Sequence, residues 1–379
     1  MTRIAFYAPL KPPDHPIPSG DREIARLIIK ALSLGGFEVE LASRYICYQK
    51  RPGAELFEAR RAGAIDEAER LIAHYKSAEP HQRPDAWFTY HTYWKAPDSI
   101  GPRVSKALGI PYFTAEACRT GQNEPQDWAA GRAIVEAGMH QAAANFCLKS
   151  SDRDYLETVL KDTGSIVPLK PFIDTSPFEA ERGLAAEKPF ANDDPVILAV
   201  GMMRPGKKAE CYRILADALD RVSSDKWNLL LVGDGPEREN IESWFSFVAP
   251  DRIRFCGTVT PKEVRGLMRA SDLFAWPGYR EPIGMVYLEA QATGLPVAAL
   301  DSLGVSQVVG NHETGLLAAE DDIAGYAAIL EKLITDPQLR ERLGAAGPAR
   351  VARLNSLEAA AQVLAETIAS CLKEPASND

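Results

Sequence analysis

Two glutamates eight positions apart, Glu281 and Glu289, have the most specific chemical setting in this sequence. They lie in "WPGYREPIGMVYLEAQATGLPV", residues 276–297. Pro282 disfavours helical geometry at Glu281 and fits a first helical turn, so the stretch predicts a helix from Pro282 with Glu281 at its mouth. At roughly 1.5 Å of rise per residue the two carboxylates lie on the order of 10 Å apart, too far to flank one glycosidic bond. They are placed to hold two ends of one long ligand.

The start of this predicted helix also offers unpaired backbone donors. Ile283, Gly284 and Met285 fall in its first turn, where N–H groups lack intrahelical partners, and Gly284 has no side chain to obstruct a ligand. Glu281 can then accept hydrogen bonds from sugar hydroxyls while Glu289 binds a ribose diol. The alternative is that Glu281 caps its own helix and Glu289 forms a surface ion pair. For this stretch alone the two interpretations are close.

Cations follow an earlier predicted strand, "VILAV". The next ten residues, 201–210, read "GMMRPGKKAE" and supply Arg204 with Lys208, or with Lys207 in its place, from a glycine-bounded loop that opens a helix. Two cations beside free helix N–H groups suit a phosphate or diphosphate. A solvated loop with ordinary surface cations is the competing interpretation.

Two further strand ends carry weaker signals. Gly233 in "GDGP" lets a nucleotide approach the backbone, or marks an ordinary strand-to-helix turn. Phe255 and Cys256 in "RIRFCGTV" can edge a nucleotide base, or Phe255 packs in the core. Only the combination favours a nucleotide-sugar site, with cations for the phosphates, open amides, and a carboxylate for each sugar.

The elements that position these residues alternate between strand and helix along both halves of the chain, which predicts an α/β fold of two doubly wound parallel sheets. Residues 174–194 mix Pro, Gly, Asn and charge without a strand pattern and are predicted to be an interdomain linker. The predicted domains are then 1–173 and 195–355, with a C-terminal helix in 356–379 that can fold back over the first domain. Ligands of such sheets bind beyond the carboxyl ends of the strands.

The amino-acid composition disfavours several classes of protein function. The 379 residues are 46% hydrophobic and 25% charged, as in a soluble globular protein, and the net charge of −9 disfavours general nucleic-acid binding. No long apolar run or signal-peptide pattern is found, so a cytoplasmic location is expected. Six cysteines without a close pair disfavour a disulfide framework or a thiolate zinc site. The acidic strings "SDRDY" and "NDDP" read as a helix start and a linker, so no metal is expected.

The second domain resembles the retaining glycosyltransferases of family 4, which have the GT-B fold of two Rossmann-like domains facing a central cleft. "YREPIGMVYLEAQATGLPV" matches the Glu-x7-Glu signature of that family, and the resemblance runs through about residues 195–335. It includes, in family order, "LLLVGDGPERE", "RIRFCGTV", "RASDLFAWPGYREP" and "GVSQVVGNHETGLL". The first domain matches more loosely, in "RIAFYAPL", "PSGDREIARLIIKAL" and "VPLKPFIDTSPF".

The resemblance implies a role for each of five residues. Glu281 is implied to lie near the donor sugar and Glu289 on the ribose. Arg204 and Lys208 are implied to bind the diphosphate, and Gly20 to lie in a loop that faces those phosphates.

The resemblance also implies a reaction. It is the metal-independent transfer of a sugar, with retention, from a UDP- or GDP-linked donor to a glycan, lipid-linked or small-molecule acceptor. The departing phosphate takes the acceptor's proton, and the fixed cations stabilise the leaving group. The donor is a substrate, so no cofactor is expected.

The sequence departs from the family pattern at two places. Met202 stands where the family usually has an arginine, and Arg204 is interpreted as its displaced replacement. Many members also place a histidine of the first domain near the reacting sugar. His91 in "TYHTYW" and Glu116 in "FTAEACR", each near a predicted strand end, are the candidates here, and a packed or surface residue is the competing interpretation for each.

Two rival functions keep the same donor site. A sugar-nucleotide epimerase of this fold would change the donor sugar and need no acceptor. A non-catalytic nucleotide-sugar-binding protein would bind donor without turnover, and the Met202 departure keeps this alternative open. A peripheral contact with the inner face of a membrane also stays open.

Overall fold

The computed structural model describes residues 1–17, 19–118 and 128–373. Their contacts divide the chain into two compact units, a first unit of residues 1–170 with 357–379 and a second unit of residues 171–356. A helix was predicted to begin near residue 127, and that start, like residues 374–379 of the predicted C-terminal helix, lies outside the described residues.

A parallel six-stranded sheet in the order β2-β1-β3-β4-β5-β6 forms the centre of the first unit. Both faces of β3 are buried, as expected where helices cover a parallel sheet. The strand order reverses between β1 and β3, which makes their carboxyl ends the expected ligand-binding crevice of this unit. The strands are β1 (Arg3–Tyr7), β2 (Glu38–Ser43), β3 (Ala86–Tyr90), β4 (Tyr112–Ala115), β5 (Ala144–Cys147) and β6 (Ile166–Pro168).

The helices of the first unit include the C-terminal one. α14 packs on α1, where a Cβ added to Gly35 would lie 3.2 Å from the Ala361 carbonyl oxygen. α1 begins at Gly20 because the Ser19 hydroxyl accepts a hydrogen bond from the Arg22 amide at 3.3 Å. The helices are α1 (Gly20–Leu34), α2 (Ala54–Ser77), α3 (Gly101–Leu108), α4 (Ala129–Gln141), α5 (Ser150–Val159) and α14 (Leu357–Lys373).

The second unit has its own parallel sheet, in the order β12-β11-β10-β7-β8-β9. If β7 is taken as its first strand, this is the 3-2-1-4-5-6 order of dinucleotide-binding sheets, read from the other edge. The order reverses between β7 and β10, so their carboxyl ends form the expected ligand-binding crevice. The strands are β7 (Val196–Val200), β8 (Asn228–Val232), β9 (Ile253–Gly257), β10 (Leu273–Ala275), β11 (Val297–Asp301) and β12 (Gly315–Ala319).

Helices follow most strands of the second unit, which places several helix N-termini at the carboxyl edge of its sheet. α9 starts with a capping box, in which the Thr260 hydroxyl and the Glu263 carboxylate each accept a hydrogen bond from the other's backbone amide. The helices are α6 (Ser176–Ala180), α7 (Lys207–Leu219), α8 (Arg238–Trp244), α9 (Pro261–Arg269), α10 (Met285–Thr293), α11 (Val305–Val308), α12 (Ile323–Thr335) and α13 (Pro337–Leu354).

The segment predicted as a linker, residues 174–194, belongs to the second unit. Phe190 is buried in the core of that unit, and Phe178 packs against the same core. Glu181 forms ion pairs with Arg265 and Arg269 of α9. Two aromatic side chains and one carboxylate therefore attach this segment to the second unit, although its content of Pro, Gly and charged residues is typical of a linker.

The predicted α/β architecture of two doubly wound parallel sheets is confirmed. The alternation of short apolar runs with amphipathic helices identified the strands of both sheets except the edge strand β12, which was not predicted. No helix within the described ranges has the length and apolarity needed to cross a membrane.

Candidate functional site

The crevice between β7 and β10 brings together a lysine and a glutamate that lie 73 residues apart in sequence. Lys208 Nζ donates a hydrogen bond to Glu281 Oε2 at 2.6 Å. The two side chains stay 32% and 19% exposed, so solvent and ligands can reach the pair. The same ammonium lies 5.5 Å from the ring centroid of Trp276, which is fully buried at the end of β10.

The two lysines of the loop after β7 occupy the first turn of α7. Gly206, with φ of 85°, precedes Lys207 and Lys208 at the helix N-terminus. A helix N-terminus carries partial positive charge, so two cations there are unfavourable unless anions lie close. Glu281 neutralises Lys208, whereas Lys207 Nζ reaches, among the described residues, only the Arg280 carbonyl oxygen, at 3.4 Å. This end of α7 is therefore suited to a further anion.

The helix after β10 begins later than predicted. α10 starts at Met285, not at Pro282, because Gly284 has a left-handed φ of 72° and Arg280 one of 51°. Within the described part of the chain, the amides of Ile283, Gly284 and Met285 make no hydrogen bond. These three N–H groups at the start of a helix can therefore serve an anionic or hydroxyl-bearing ligand.

A second loop holds the Arg280–Glu281 backbone in place. The Arg280 amide donates to the fully buried Ser302 hydroxyl at 2.8 Å, and that hydroxyl donates to Glu320 Oε1 at 2.6 Å. The Gly304 amide donates to the Glu281 carbonyl oxygen at 3.0 Å. These contacts fix a left-handed conformation that only a small fraction of non-glycine residues adopt. Sequence reasoning missed Ser302 and Glu320, because no local pattern links them to Glu281.

Replacing Ser302 with alanine is expected to impair turnover through the Arg280–Glu281 backbone. The Arg280 amide would lose its partner in a partly buried position, at a cost of about 1–3 kcal/mol. We expect kcat to fall more than the KM for the donor rises, with recovery in Ser302→Thr, and steady-state kinetics measure both. Ser306→Ala, at an exposed serine of the adjacent helix α11, is the control. Unchanged kcat in a folded Ser302→Ala variant would contradict the positioning role.

Glycines pack the strand ends of the second unit against one another. Gly233 has φ of 138°, donates its amide to the Gly257 carbonyl oxygen at 2.9 Å, and has no room for a Cβ beside the Gly201 carbonyl oxygen. A Cβ on Gly201 would lie 2.6 Å from the Trp276 ring. Gly233 thus has a packing role beside its predicted nucleotide-facing one. Gly201 went unidentified, although a glycine directly after a buried strand is a usable signal.

Glu289 lies half-buried in α10, and its carboxylate has no hydrogen-bond or ion-pair partner among the described residues. Desolvation raises the pKa of this carboxyl to about 7, against a smaller lowering by the Arg265 guanidinium. The surface ion pair considered as an alternative is therefore not formed here. The ribose role stays a prediction, and a carboxylate with unused acceptor capacity suits it.

The remaining predicted residues of the second unit are Arg204, Phe255 and Cys256. The guanidinium of Arg204 is exposed and contacts neither Lys208 nor Glu281; it makes no hydrogen bond or ion pair among the described residues. Phe255 is half-buried, with the Arg238 guanidinium 5.8 Å from its ring centroid, and Cys256 beside it is half-buried. Base recognition by Phe255 and Cys256 stays a prediction.

In the first unit, His91 and Glu116 come together at the carboxyl ends of β3 and β4. Both have left-handed backbones, with φ of 57° and 56°. His91 Nδ1 lies 3.0 Å from Asp21 Oδ1, and the buried Glu116 carboxylate accepts a hydrogen bond from the Tyr90 hydroxyl at 3.0 Å. Glu116 also pairs with Lys149 at the end of β5. Gly20, predicted to lie in a loop, is the first residue of α1 and precedes Asp21.

Charges set the protonation of this cluster. Burial alone would lower the pKa of His91, but the Glu116 carboxylate and the Asp21 hydrogen bond raise it well above its ordinary value. Burial would raise the pKa of Glu116, but the His91 and Lys149 cations lower it. The cluster therefore holds paired charges. The family-implied roles of His91 and Glu116 stay predictions.

Comparison with known proteins adds family information to this geometry. The profile described as "Glycosyl transferases group 1" matches residues 182–350. One curated relative is the D-inositol 3-phosphate glycosyltransferase of Nocardia farcinica, 29% identical over 64% of this chain and 50% of its own length. Another is the lipopolysaccharide core biosynthesis glycosyltransferase LpsD of Rhizobium meliloti, 39% identical over 31% of this chain and 34% of its own length. The matched part of the chain spans about half or less of the length of these relatives.

Solved structures match nearly the whole chain in fold. Sucrose-phosphate synthase from Thermosynechococcus elongatus has a TM-score of 0.69 at 20% identity and covers 98% of this chain and 99% of its own. HepE from Anabaena, solved in complex with UDP, has a TM-score of 0.71 at 16% identity, with 98% and 100% coverage. At these identities the likeness establishes the fold. Residues 182–350, most of the second unit, thus match the model of the group 1 glycosyltransferases, and the fold of the chain is GT-B.

Proposed function

We propose that this protein transfers a sugar, with retention of configuration, from a UDP-sugar to a hydroxyl of an acceptor. The observation that carries the proposal is the Lys208–Glu281 pair at the strand-order reversal of the second sheet, in the same chain segment as the three amides before α10 that make no hydrogen bond among the described residues. The names of two solved structures of similar fold favour uridine over guanosine, since they are complexes of HepE with UDP and with UDP-glucose.

In the proposed donor complex the diphosphate lies at the N-terminus of α7. Lys208 exchanges part of its contact with Glu281 for phosphate oxygens, and the amides of Gly284 and Met285 add neutral donors. Glu281, released toward the sugar, accepts hydrogen bonds from its hydroxyls. Glu289 binds the ribose diol, and Phe255 lines the base. Lys208 and Glu281 stay partly exposed, and the Glu289 carboxylate and the two amides have no hydrogen-bond partner among the described residues.

The chemistry follows from where negative charge develops. As the bond to the sugar breaks, the diphosphate gains charge and the sugar becomes oxocarbenium-like. Fixed cations and helix-end amides that meet this charge lower the barrier, each by several kcal/mol. The departing phosphate then takes the proton of the acceptor hydroxyl on the same face of the sugar, which retains the configuration. Lysine ammonium groups supply the positive charge, so we propose a transfer that needs neither metal nor cofactor.

The acceptor is proposed here by its chemical class. The names of the relatives span an inositol phosphate, an aminosugar transferase and a lipopolysaccharide core enzyme. A hydroxyl on a glycan, a lipid-linked carrier or a small polar molecule is the class that we propose.

A donor panel tests the function. UDP-sugars are expected to raise the melting temperature more than GDP-sugars do, and mass spectrometry should detect transfer of the stabilising sugar to candidate acceptors. Conversion of the donor sugar without any acceptor would favour the epimerase alternative. Donor binding without turnover across acceptors would favour the non-catalytic alternative.

The two adjacent lysines of α7 are expected to differ in their effect on UDP affinity. Lys208→Met should weaken UDP binding by about 10–100-fold, the loss of a charge-assisted hydrogen bond of about 1.5–3 kcal/mol. Lys207→Met should have the smaller effect, because this side chain is exposed and reaches only a backbone carbonyl. Isothermal titration with UDP measures both, and Lys226→Met, far along the chain at an exposed position before β8, is the control. Equal losses at positions 207 and 226, with none at 208, would contradict the assignment.

A further inference from the structure

The cluster of the first unit contains three side chains with metal-ligand chemistry. Ligand atoms of His91, Glu116 and Cys118 all lie within 4.8 Å of one another, and all three residues are buried. His91 and Glu116 both have left-handed backbones. Such conformations are retained where the surrounding structure over-determines them.

We propose that His91, Glu116 and Cys118 form a binding site for one divalent transition-metal ion of the Zn²⁺ class. One imidazole nitrogen, one thiolate and one carboxylate oxygen are the three ligand types that zinc prefers, and three protein ligands leave a fourth position open. Its three ligands belong to the first unit, whereas the residues of the proposed donor site belong to the second. It also differs from a structural zinc site, which has four protein ligands and typically several cysteines.

The surroundings of the cluster supply the outer contacts that metal ligands need. Asp21 Oδ1 lies 3.0 Å from His91 Nδ1, so the other ring nitrogen, Nε2, is left for the metal. A carboxylate on the far nitrogen fixes the ring orientation and raises its basicity. The Tyr90 hydroxyl holds Glu116 Oε2 at 3.0 Å in the same way. Neither contact has to break for the metal to bind.

Lys149 competes with the metal for Glu116. Its ammonium pairs with Glu116 Oε1 and lies 3.6 Å from Asp152 Oδ1, while Asp152 Oδ2 is buried without a partner. Metal binding displaces two protons to solvent, the thiol proton of Cys118 and the Nε2 proton of the cationic His91 ring, while Lys149 can shift its contact toward the second oxygen of Asp152. The two charges of the ion replace these two protons, so the net charge of the buried cluster stays the same, which limits the desolvation cost.

The site predicts binding of one metal ion through a thiolate. Titration of the full-length, metal-free protein with Co²⁺ is expected to give a single equivalent with a thiolate-to-cobalt charge-transfer band, and Zn²⁺ should displace it. Cys118→Ser should abolish the band, and His91→Gln should weaken Zn²⁺ binding at least about tenfold. Asp21→Asn should weaken it about 10–100-fold, the usual effect of an outer contact.

Cys256→Ser is the matched control, because Cys256 is half-buried and thus more accessible to unspecific metal binding than the buried Cys118. It is expected to keep the band and the affinity. Absence of the band in the wild-type protein, its persistence in Cys118→Ser, or its loss in Cys256→Ser would each overturn the proposal. If Cys118→Ser fails to fold by circular dichroism, unchanged Zn²⁺ affinity in both folded His91→Gln and Asp21→Asn overturns it equally.

Discussion

Replacement of Glu281 by alanine is expected to lower kcat/KM for sugar transfer by about two to three orders of magnitude, with the protein still folded. This carboxylate is assigned to the donor sugar, where its contacts strengthen as the sugar gains positive charge, and single groups of this kind are worth about 10²–10³ in kcat. Release of UDP in the presence of acceptor measures the rate. The melting temperature should change little, because the partly exposed pair with Lys208 contributes only about 1 kcal/mol to stability.

The control for this variant is Glu210→Ala on α7. Glu210 also pairs with a cation, Arg213, but on the exposed face of the helix. That variant should keep wild-type kinetics. Glu281→Gln tests the contribution of the negative charge alone, because glutamine has nearly the same size and shape as glutamate and can still form hydrogen bonds. A wild-type rate in a folded Glu281→Ala variant would remove this residue from the site.

A double-mutant cycle with Lys208 adds a second check on the pair. If Lys208 and Glu281 act on different parts of one ligand, both single variants lose activity and the coupling energy reflects only their contact. If their sole function is to neutralise each other, the double variant should recover most of the activity that either single variant loses.

The sequence predicted the two sheets well because their signal is local. Short apolar runs followed by amphipathic helices need only neighbouring residues to be recognised, and the strand ends then follow from the topology. The start of α10 shows the limit of this reasoning. Pro282 is compatible with a first helical turn, but Gly284 takes a left-handed conformation and delays the helix to Met285. Pro282 and Met285 are both compatible with a helix start, and packing against the loop after β11 decides between them.

Residues that act across the chain were beyond local patterns. Ser302 meets the Arg280 amide across 22 residues of sequence, and Glu320 meets Ser302 across 18. The cluster of the first unit likewise joins α1, the ends of β3 and β4, and the end of β5. His91 and Glu116 were identified as isolated candidates, whereas their partners Asp21 and Lys149 become visible only when those elements are assembled.

Glu289 is expected to affect nucleotide affinity and stability in opposite directions. Glu289→Gln should weaken UDP binding at pH 8 by about 10–100-fold, because a hydrogen bond to a charged acceptor is worth about 1.5–3 kcal/mol. The same variant should be more stable than wild type at pH 8, on the order of 1–3 kcal/mol in the free energy of unfolding. The gain arises because folding places an ionised carboxyl in a poorly solvated position. Isothermal titration and denaturant unfolding measure the two effects.

The pH window of these effects follows from the pKa of Glu289, which is raised from 4.5 to about 7 by burial. The folded state holds this proton more tightly than the unfolded state, so the stabilisation is fully present below pH 4.5 and is lost as pH rises through 7. The stability advantage of Glu289→Gln should therefore grow across this window and level off above it. UDP affinity of the wild-type protein should rise over the same range as the carboxylate forms.

A phosphate of UDP also titrates near pH of about 6, so Glu289→Gln supplies the baseline from which the pH dependence due to the protein is read. Glu341→Gln, at an exposed glutamate of α13, controls for loss of one surface charge and should leave both affinity and stability unchanged. Weaker UDP binding without greater stability at pH 8 would argue that Glu289 is already solvated before the ligand binds. Greater stability with unchanged affinity would agree with burial of the carboxyl but would contradict its contact with the ribose, because loss of that contact should weaken UDP binding.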